Sequence, residues 1–382
     1  MDAYVIEAKR TPIGRANAEK GSFKNVRADV LLAELLKSVV GKTIPATAID
    51  DVYVGCVGQH LEQGKNIARL ASLLAGLPET IPGVTINRLC GSSLQAFNFA
   101  ATAVHAGQAE VILAGGVEHM HHVPMAAALD YHQGLLSRYE FPFTNMGLTA
   151  EKVAQLHGIT RLAQDTFALA SHQKAVAAQQ HGLFRPEIVS IKIGDETVEQ
   201  DQGPRANSSL EALAALKPAF QETDGTVTAG NSSQISDGAS LTIVASGEAC
   251  RKYELQPRAE VLGFTAVGVA PCLMGLGPVP AIQKLLAKTG LRVADIDLFE
   301  INEAFASQAI ACVQTLGIPM AKVNPWGGAI ALGHPLGCTG TRLIATLLNG
   351  LEQQGGKFGI ASMCVGHGQG LATLLKRTEN IQ

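Results

Sequence analysis

The sequence predicts an α/β fold made of two similar halves with a loop-rich segment inserted between them. Short apolar runs alternate with helical patterns, which indicates βαβ units and a mostly parallel sheet. A pattern that follows residue 90 is repeated after residue 338, and the composition changes between the two. We therefore place the two halves at 1–118 and 247–382, and an inserted loop domain at 119–246.

The alternation of strands and helices is clearest in the first half of the chain. Strand-like runs are rich in β-branched residues, and the segments between them carry apolar residues at helical spacing. The predicted strands are Ala3–Ile6, Asp51–Val57, Val84–Asn87 and Val111–Ala114. The predicted helices are Asp29–Val40, Asn66–Leu74 and Ser92–Ala106.

The two halves also agree in spacing. In the first half, Cys90 opens an alanine-rich helical run, and the next strand reaches Gly115, 25 residues later. In the second half, Cys338 opens a similar run, and the next strand ends at Cys364, 26 residues later. A duplicated α/β unit explains this agreement, although unrelated α/β segments can produce similar spacings.

The segment between the halves is rich in His, Gln and Asn. It contains a helical stretch at Leu162–Gln180 and a polar stretch at Gly194–Ser208. Long insertions in compact folds are usually functional, so we expect part of a binding site here.

Composition argues against several classes of protein. Hydrophobic residues make up 47% and charged residues 16% of the chain, which excludes disorder and favours a surface partly covered by a second subunit. A net charge of −3 gives no basic surface for nucleic acid. The seven cysteines contain no C-x-x-C pair, as expected in a reducing compartment.

Neither export nor membrane insertion is expected. The N-terminal residues MDAYVIEAKR are charged and lack the apolar core of a signal peptide. Two charge-free runs, Leu89–Ala109 and Gly263–Gln283, are interrupted by polar residues or by glycine and proline, so we interpret them as buried elements. The C-terminal residues Glu-Asn-Ile-Gln are not a peroxisomal signal, which leaves the cytoplasm as the expected location.

Cys90 is the first candidate for chemistry, because it lies between a predicted strand and a predicted helix. The N–H groups at a helix N-terminus favour a thiolate, so we expect the pKa of this thiol to be lowered. A buried structural cysteine is the alternative, and the local sequence does not decide between the two.

Three further segments carry residues suited to acyl chemistry. His334 lies on a glycine-rich turn, a placement that suits a general base. Cys364 ends a strand that leads into GHGQG, whose N–H groups could form an oxyanion hole or simply a flexible loop. Asn302 and Glu303 are predicted to open a helix, and helix capping alone would explain them. Together the four segments suit carbon–sulfur and carbon–carbon acyl transfer.

Other motifs point to no bound metal or nucleotide. The run HMHH at 119–122 has no second group of Cys, Asp or Glu at zinc-like spacing, so we interpret it as a loop and expect no metal. Glycine-rich motifs for ATP or NAD are not found.

These segments resemble those of the thiolase family, and the resemblance runs from residue 10 to the C-terminus. The resembling stretches are NRLCGSSLQA, NEAFASQ, GGAIALGHPLGCTG and MCVGHGQG, in the family's order. The resemblance implies thiolase-like duplicated α/β halves in a layered α-β-α-β-α core. It also implies an acyltransferase that acts on acyl-CoA.

The resemblance assigns a role to each candidate residue. It makes Cys90 the nucleophile, His334 the base that deprotonates it, and Cys364 the second acid/base. Asn302 would form one oxyanion hole with His334, and the backbone N–H groups of Cys90 and Gly366 would form the other. The implied kinetics are ping-pong through an acyl-Cys90 intermediate.

Coenzyme A is the implied co-substrate, and the resemblance implies no permanently bound cofactor. The corresponding positions are Arg205 at the nucleotide end and Ser233 on the pantetheine. Those along the tunnel are Phe220, Met146, Met274 and Phe305. Ordinary core packing is the alternative for the four tunnel residues.

Two departures bear on specificity. Short-chain biosynthetic thiolases have a His-Met pair where this chain has Asn145-Met146, and the segments EHMHHVPM and MGLTAEKVAQLHGITR resemble the β subunit of bacterial fatty-acid oxidation complexes. This favours a degradative enzyme of β-oxidation that cleaves 3-ketoacyl-CoA as a homodimer. The same resemblance implies docking on a hydratase/dehydrogenase α subunit as a further expectation. His367 lies in a loop that the family varies, which leaves its role open.

Three other functions compete with this hypothesis. A biosynthetic thiolase would form acetoacetyl-CoA, and activity on short and long substrates would distinguish it. A ketoacyl synthase is a relative with a Cys-His-His site. The presence of two candidate catalytic cysteines, Cys90 and Cys364, argues against a ketoacyl synthase. An inactive lipid-carrier or scaffold subunit would show no CoA-dependent cleavage.

Overall fold

The computed structural model describes residues 2–127 and 129–378, and the bounds of the regular elements follow. The strands are β1 (Ala3–Arg10), β2 (Gly14–Arg15), β3 (Asp51–Gly55), β4 (Val84–Ile86), β5 (Val111–His119), β6 (Ile191–Ile193), β7 (Glu196–Val198), β8 (Ser236–Ser246), β9 (Ala259–Gly268), β10 (Leu298–Ile301), β11 (Phe358–Val365) and β12 (Gln369–Arg377). The helices are α1 (Ala28–Val39), α2 (Ile67–Leu74), α3 (Ser92–His105), α4 (Gln133–Arg138), α5 (Met146–His157), α6 (Arg161–Gln180), α7 (Leu210–Ala214), α8 (Gly247–Lys252), α9 (Pro278–Thr289), α10 (Ala306–Leu316), α11 (Ala329–Leu332) and α12 (Thr339–Gln354). Short 3₁₀ turns lie at Ala46–Ala48, Leu61–Gln63, Pro271–Leu276, Val293–Asp295 and Met320–Lys322. The seven elements predicted in the first half and the helix predicted from Leu162 are all present, with ends shifted by a few residues.

The main sheet runs in the order β10-β11-β12-β9-β1-β8-β5-β3-β4, with the short β2 paired to β8. The two halves have the same arrangement. The series β3-β5-β8-β1 and the series β10-β11-β12-β9 each consist of one parallel pair followed by two antiparallel pairs. The halves meet where β1 pairs with β9. The predicted duplication is therefore confirmed.

The expectation of a mostly parallel sheet was wrong. Within the described residues, only β10/β11, β3/β4 and β3/β5 pair in parallel, and the other six pairings of the main sheet are antiparallel. The prediction assumed that a helix connects each strand to the next, as parallel pairing requires. Only some of the consecutive strands are connected in this way. In the second half, β11 returns directly into β12 as a hairpin, which forces an antiparallel pair.

Five layers follow from the alternation of side chains along the strands. In β5, Val111 and Leu113 pack on α1 and α2, whereas Ile112 and Ala114 face α3 and α12. The sheet of the second half packs on α12 with one face and on α9 and α10 with the other. The order is α-β-α-β-α, as expected, with α3 and α12 in the central layer.

Close contact between the two central helices depends on a glycine. A Cβ atom placed on Gly340, in the first turn of α12, would lie 2.1 Å from the backbone nitrogen of Leu94 in α3. This contact brings together the N-terminal ends of the two helices, which follow the Cys90 and His334 segments.

The segment between β5 and β8 carries helices α4 to α7 and the two-stranded β6-β7 sheet. Strand β8, which forms the last part of the predicted insert, lies inside the main sheet between β1 and β5. The boundaries proposed at 118 and 246 stay a prediction.

No helix in residues 2–127 or 129–378 is both long and apolar enough to cross a membrane. The two charge-free runs noted in the sequence contain α3, and β9 with the start of α9, all of which pack in the core.

Candidate active site

Cys90 lies in the turn between β4 and α3, at the strand-to-helix elbow that the sequence predicts. Leu89 has a left-handed backbone, with φ of 47°. The hydroxyl of Ser92 fixes the turn, since it accepts from the N–H of Arg88 at 2.9 Å and donates to the carbonyl of Leu89 at 2.6 Å. These local bonds hold the thiol at the start of a buried helix.

The Cys90 thiol is protonated at rest, contrary to the lowered pKa that we expected from its position. Burial raises its pKa to about 11, although hydrogen bonds from the backbone N–H groups of Gly366 and of Cys90 itself act in the opposite direction. Removal of the thiol from water therefore outweighs the helix N-terminus. A base must take this proton before Cys90 can attack a carbonyl.

The second cysteine is near enough to the first for the charges of the two sulfurs to interact. Cys364 is buried near the end of β11, two residues before Gly366, whose N–H faces the sulfur of Cys90. Burial raises the pKa of the Cys364 thiol well above its ordinary value, and the neighbouring Cys90 and Cys312 thiols raise it further. Cys364 is therefore a neutral thiol that carries its proton in the resting site.

His334 lies in a loop between α11 and α12, and its tautomer follows from its contacts. Its Nδ1 is 2.6 Å from the hydroxyl of Thr339, which itself donates to the carbonyl of Pro335 at 2.8 Å. Because the hydroxyl donates its proton to Pro335, we assign the ring proton to Nδ1, which donates to the hydroxyl oxygen. The lone pair is thus on Nε2. Burial lowers the His334 pKa to about 3, so the ring is neutral at rest and this lone pair can accept a proton.

Asn302 stands next to that lone pair. Its Nδ2 is 3.4 Å from His334 Nε2, and its buried Oδ1 has no hydrogen-bond partner among the residues that the structure describes. An unpaired buried carbonyl oxygen fits a site that receives a water or a substrate atom.

The expectation that Asn302 and Glu303 begin a helix was wrong, because α10 starts at Ala306. The two residues follow β10 in an irregular loop, and Glu303 is a buried anchor. Its carboxylate accepts from the hydroxyl of Ser171 at 2.7 Å and from Nδ2 of Asn324 at 2.9 Å.

The loop of His334 is attached to the elements around Cys90. The N–H of Thr341 in α12 donates to Oγ of Ser93 in α3 at 3.1 Å. The buried carboxylate of Glu118 accepts the N–H of Gly337 at 2.8 Å and the N–H groups of Val57 and Gly58 at 3.0 and 2.9 Å. Contacts from both halves therefore fix the two chemical groups relative to each other.

The residues expected along a CoA tunnel form a cluster. Met146, Met274 and Phe305 lie in one apolar group with Cys364. The ring of Phe220 is edge-on to that of Phe305, with ring centroids 6.0 Å apart, and 38% of Phe220 is exposed. Apolar side chains thus extend from Phe220 at the surface to the second cysteine.

The two polar CoA positions lie in other loops. Ser233 is half-buried, and its N–H donates to the carbonyl of Ala304, beside Phe305. Arg205 is exposed, and its charge acts on Arg15 and His172. Its N–H donates to Nδ1 of His172 at 3.2 Å. Two arginines close together provide positive charge for an anion.

The HMHH run forms a cluster with Glu62 that the spacing argument overlooked. Side-chain atoms of Glu62, His119 and His122 lie within 4.8 Å of one another. Each ring nitrogen already has a protein partner: His119 bonds the carbonyl of Phe23 and the N–H of His122, and His122 bonds Glu62 and the carbonyl of Lys24. The cluster is a hydrogen-bond network.

Sequence reasoning missed Thr339 and Glu118 as residues that hold the site. The partner of Thr339 is only five residues away, so a hydroxyl shortly after the histidine, at the predicted start of a helix, was a usable signal. Glu118 makes its contacts across 60 and 219 positions of the chain, which no local pattern reveals.

Comparison with known proteins agrees with this geometry. Residues 3–248 match the family described as "Thiolase, N-terminal domain", and residues 255–377 match "Thiolase, C-terminal domain". Both cysteines, the histidine and the asparagine fall within these matches.

Full-length relatives and a solved structure extend the match. The chain is 49% identical to the 3-ketoacyl-CoA thiolase of Citrobacter koseri, over 98% of this chain and 99% of the relative. It is 48% identical to that of Erwinia tasmaniensis, over 98% of each. A crystal structure of the Bacillus anthracis acetyl-CoA acetyltransferase superposes with a TM-score of 0.89 and 38% identity, over 99% of both chains. The chain belongs to the thiolase family.

Proposed function

We propose that this chain is a 3-ketoacyl-CoA thiolase that cleaves its substrate with CoA into acetyl-CoA and a shortened acyl-CoA. The observation that carries the proposal is the placement of Cys90 within electrostatic range of a second thiol, Cys364, and in hydrogen-bond contact with the N–H of Gly366. A single nucleophile suffices for simple acyl transfer, whereas carbon–carbon cleavage also needs an acid for the departing carbanion.

In the first half-reaction, Nε2 of His334 takes the proton of the Cys90 thiol. The thiolate attacks the 3-keto carbon, and the bond between carbons 2 and 3 breaks. The electron pair leaves as the enolate of acetyl-CoA, and the Cys364 thiol protonates it. The products are acetyl-CoA, an acyl thioester on Cys90, a Cys364 thiolate and a protonated His334.

The second half-reaction restores the resting site. The Cys364 thiolate takes the proton of an incoming CoA thiol, and the CoA thiolate attacks the Cys90 thioester. Cys90 leaves as a thiolate and recovers its proton from His334. The proton balance closes, so no external acid or base is needed.

Hydrogen-bond donors near the two sulfurs would stabilise the charges that develop. The N–H groups of Cys90 and Gly366 would serve one oxyanion, and Asn302 with His334 the other. Each hole contributes on the order of 3 kcal/mol to the lowered barrier in comparable sites.

We propose that CoA lies along Phe220, Met146, Met274 and Phe305, with Ser233 at its pantetheine and Arg205 at its phosphates. CoA would act as a co-substrate, and the reaction would need no resident cofactor.

A degradative direction in fatty-acid β-oxidation is supported by the relatives named 3-ketoacyl-CoA thiolase. The acetyl-CoA acetyltransferase of known structure supports a second candidate, synthesis of acetoacetyl-CoA. Measuring kcat/KM on 3-ketoacyl-CoA substrates of four to sixteen carbons distinguishes the two. The proposal predicts activity on long chains, a four-carbon-only profile would favour the biosynthetic candidate, and no cleavage at any length would indicate an inactive scaffold.

We also propose a homodimer. Strand β4 is a sheet edge, and apolar side chains are exposed on it and on the adjacent α2 and α3. They are Leu70, Leu73, Leu74, Val84 and Phe99. An exposed strand edge flanked by apolar side chains favours association with a second copy of the chain. Leu74→Glu should yield a monomer in sedimentation, whereas Met320→Glu, a change at a similarly exposed apolar residue of the second half, should leave the dimer intact. A dimeric Leu74→Glu would contradict the interface.

The finer biological setting is also a proposal. Seven unpaired cysteines suit a reducing cytoplasm. Docking on a hydratase/dehydrogenase α subunit rests on the resemblance of the loop segments, and co-sedimentation of the two purified subunits tests it.

A further inference from the structure

The three-residue loop that joins β11 to β12 consists of Gly366, His367 and Gly368, because Val365 pairs with Gln369. His367 has a left-handed backbone with φ of 62°, and Gly368 has φ of 84°. Few residues other than glycine adopt this region, although histidine is among those enriched there. The same short loop thus carries the N–H that faces Cys90 and a large half-buried side chain.

The side chain of His367 contacts residues at both ends of one surface segment. We call residues 132–142 the arch; Tyr131 precedes it and Phe143 follows it. The hydroxyl of Tyr131 lies 3.1 Å from Nε2 of His367, with the two rings edge-on at 5.7 Å. The ring of Phe143 is edge-on to His367 at 5.8 Å.

The arch itself has few other attachments. Residues 132–140 are all exposed, and α4 within it has no buried residue. Phe143, by contrast, is buried, and Tyr131 is half-buried. The contacts of Tyr131 and Phe143 with His367 therefore do much to fix the arch over this loop.

The loop in turn is packed against the Cys90 elbow. A Cβ atom on Gly366 would lie 3.1 Å from the side chain of Leu89 and 3.6 Å from the sulfur of Met146. With so little free space, a displacement of His367 is transmitted to Gly366, the residue before it.

We propose that His367 is a positioning residue, which ties the arch to the loop and thereby aligns the N–H of Gly366 with the sulfur of Cys90. The proposal rests on the proposed function, because that alignment matters only if an acyl group is transferred to Cys90. It assigns a role to a side chain that does not itself touch the reacting atoms.

A matched pair of variants tests the proposal. His367→Leu keeps the approximate size but removes the hydrogen bond to Tyr131, whereas His367→Gln keeps a polar nitrogen at similar reach. We expect His367→Leu to lower kcat about two- to tenfold, the effect of one lost hydrogen bond, with KM for CoA unchanged. His367→Gln should recover most of the rate.

Tyr131→Phe removes only the opposite partner and is the milder change if His367→Leu folds poorly. It should lower kcat in the same range, and the double variant Tyr131→Phe/His367→Leu should be no slower than the slower single variant. Wild-type kcat in both folded single variants, or a change confined to KM for CoA, overturns the proposal.

Mass analysis of the wild-type protein separates this failure from failure of the proposed function. If acyl-Cys90 forms but the variants are as fast as wild type, only the role of His367 is lost. If the wild-type protein forms no acyl-Cys90, the proposed function fails first.

Discussion

The hydroxyl of Thr339 holds His334 in the tautomer that places the Nε2 lone pair toward Nδ2 of Asn302. Both partners are in the same short stretch, at the entry to α12, and both are buried. The base is therefore prepared before a substrate arrives, by a contact that belongs to the fold and not to the substrate.

Thr339→Val tests this relationship. Loss of the hydroxyl leaves Nδ1 without its acceptor, so part of the population adopts the wrong tautomer or ring orientation. We expect kcat to fall about tenfold, whereas Thr339→Ser, which keeps the hydroxyl, should stay within a few-fold of wild type. Steady-state thiolysis measures both, and equal rates for the two variants would contradict the tautomer argument.

Because its pKa is raised, the Cys90 thiol of the resting protein should react slowly with alkylating reagents at neutral pH. Only the thiolate reacts with iodoacetamide, so its labelling rate should rise about tenfold per pH unit between pH 7 and 9, toward a pKa near 11. Peptide mapping separates Cys90 from the other thiols. Rapid labelling at pH 7 with no further rise would mean that the helix N-terminus outweighs burial after all.

Cys364→Ala should separate the two chemical steps. Transfer of an acyl group from a simple acyl-CoA onto Cys90 should survive. This step releases a CoA thiolate, which leaves without being protonated, and it forms no carbanion. Cleavage of 3-ketoacyl-CoA should fall by about a hundredfold or more, since the enolate loses its proton donor. The matched control is Cys312→Ala, a neighbouring buried thiol, which should retain cleavage. Equal loss of both steps in Cys364→Ala would argue against a separate acid.

His172 should make stability depend on pH. Burial, and then the charges of Arg205 and Arg15, lower its pKa to about 4, whereas an unfolded histidine titrates near 6.5. As pH falls below about 6.5, only the unfolded chain gains this proton, so stability is lost toward pH 4. At pH 5 the loss amounts to about 2 kcal/mol.

Urea unfolding at pH 7 and pH 5 checks the sign. In His172→Gln, the loss of unfolding free energy between the two pH values should be about 2 kcal/mol smaller than in wild type. His181→Gln, at an exposed histidine, is the matched control. An unchanged loss in His172→Gln would show that this residue titrates alike in both states.

The fold and the identity of the site residues could be predicted to the extent that they depend on neighbours in sequence. The Cys90 elbow follows from a β-rich run, a glycine and an alanine-rich helix that adjoin one another. The layered order follows from strands with apolar residues on both faces and from two central helices buried almost all round.

What could not be predicted depends on distant parts of the chain. The thiol pKa of Cys90 depends on burial in the folded site and on the N–H of Gly366, which is 276 positions away, and the elbow alone reveals neither. The antiparallel pairings of β8 with β1 and β5 join residues more than a hundred positions apart. The buried role of Glu303 likewise requires Ser171, which lies in another segment.

The central claim is that the sulfur of Cys90 carries the acyl group between the two half-reactions. Incubation with a 3-ketoacyl-CoA in the absence of free CoA, followed by acid quench and peptide mass analysis, measures this directly. We expect the mass of the shortened acyl group on the peptide that contains Cys90, and its disappearance when CoA is added. An adduct on another cysteine, or full turnover by Cys90→Ala with no adduct, would contradict the account.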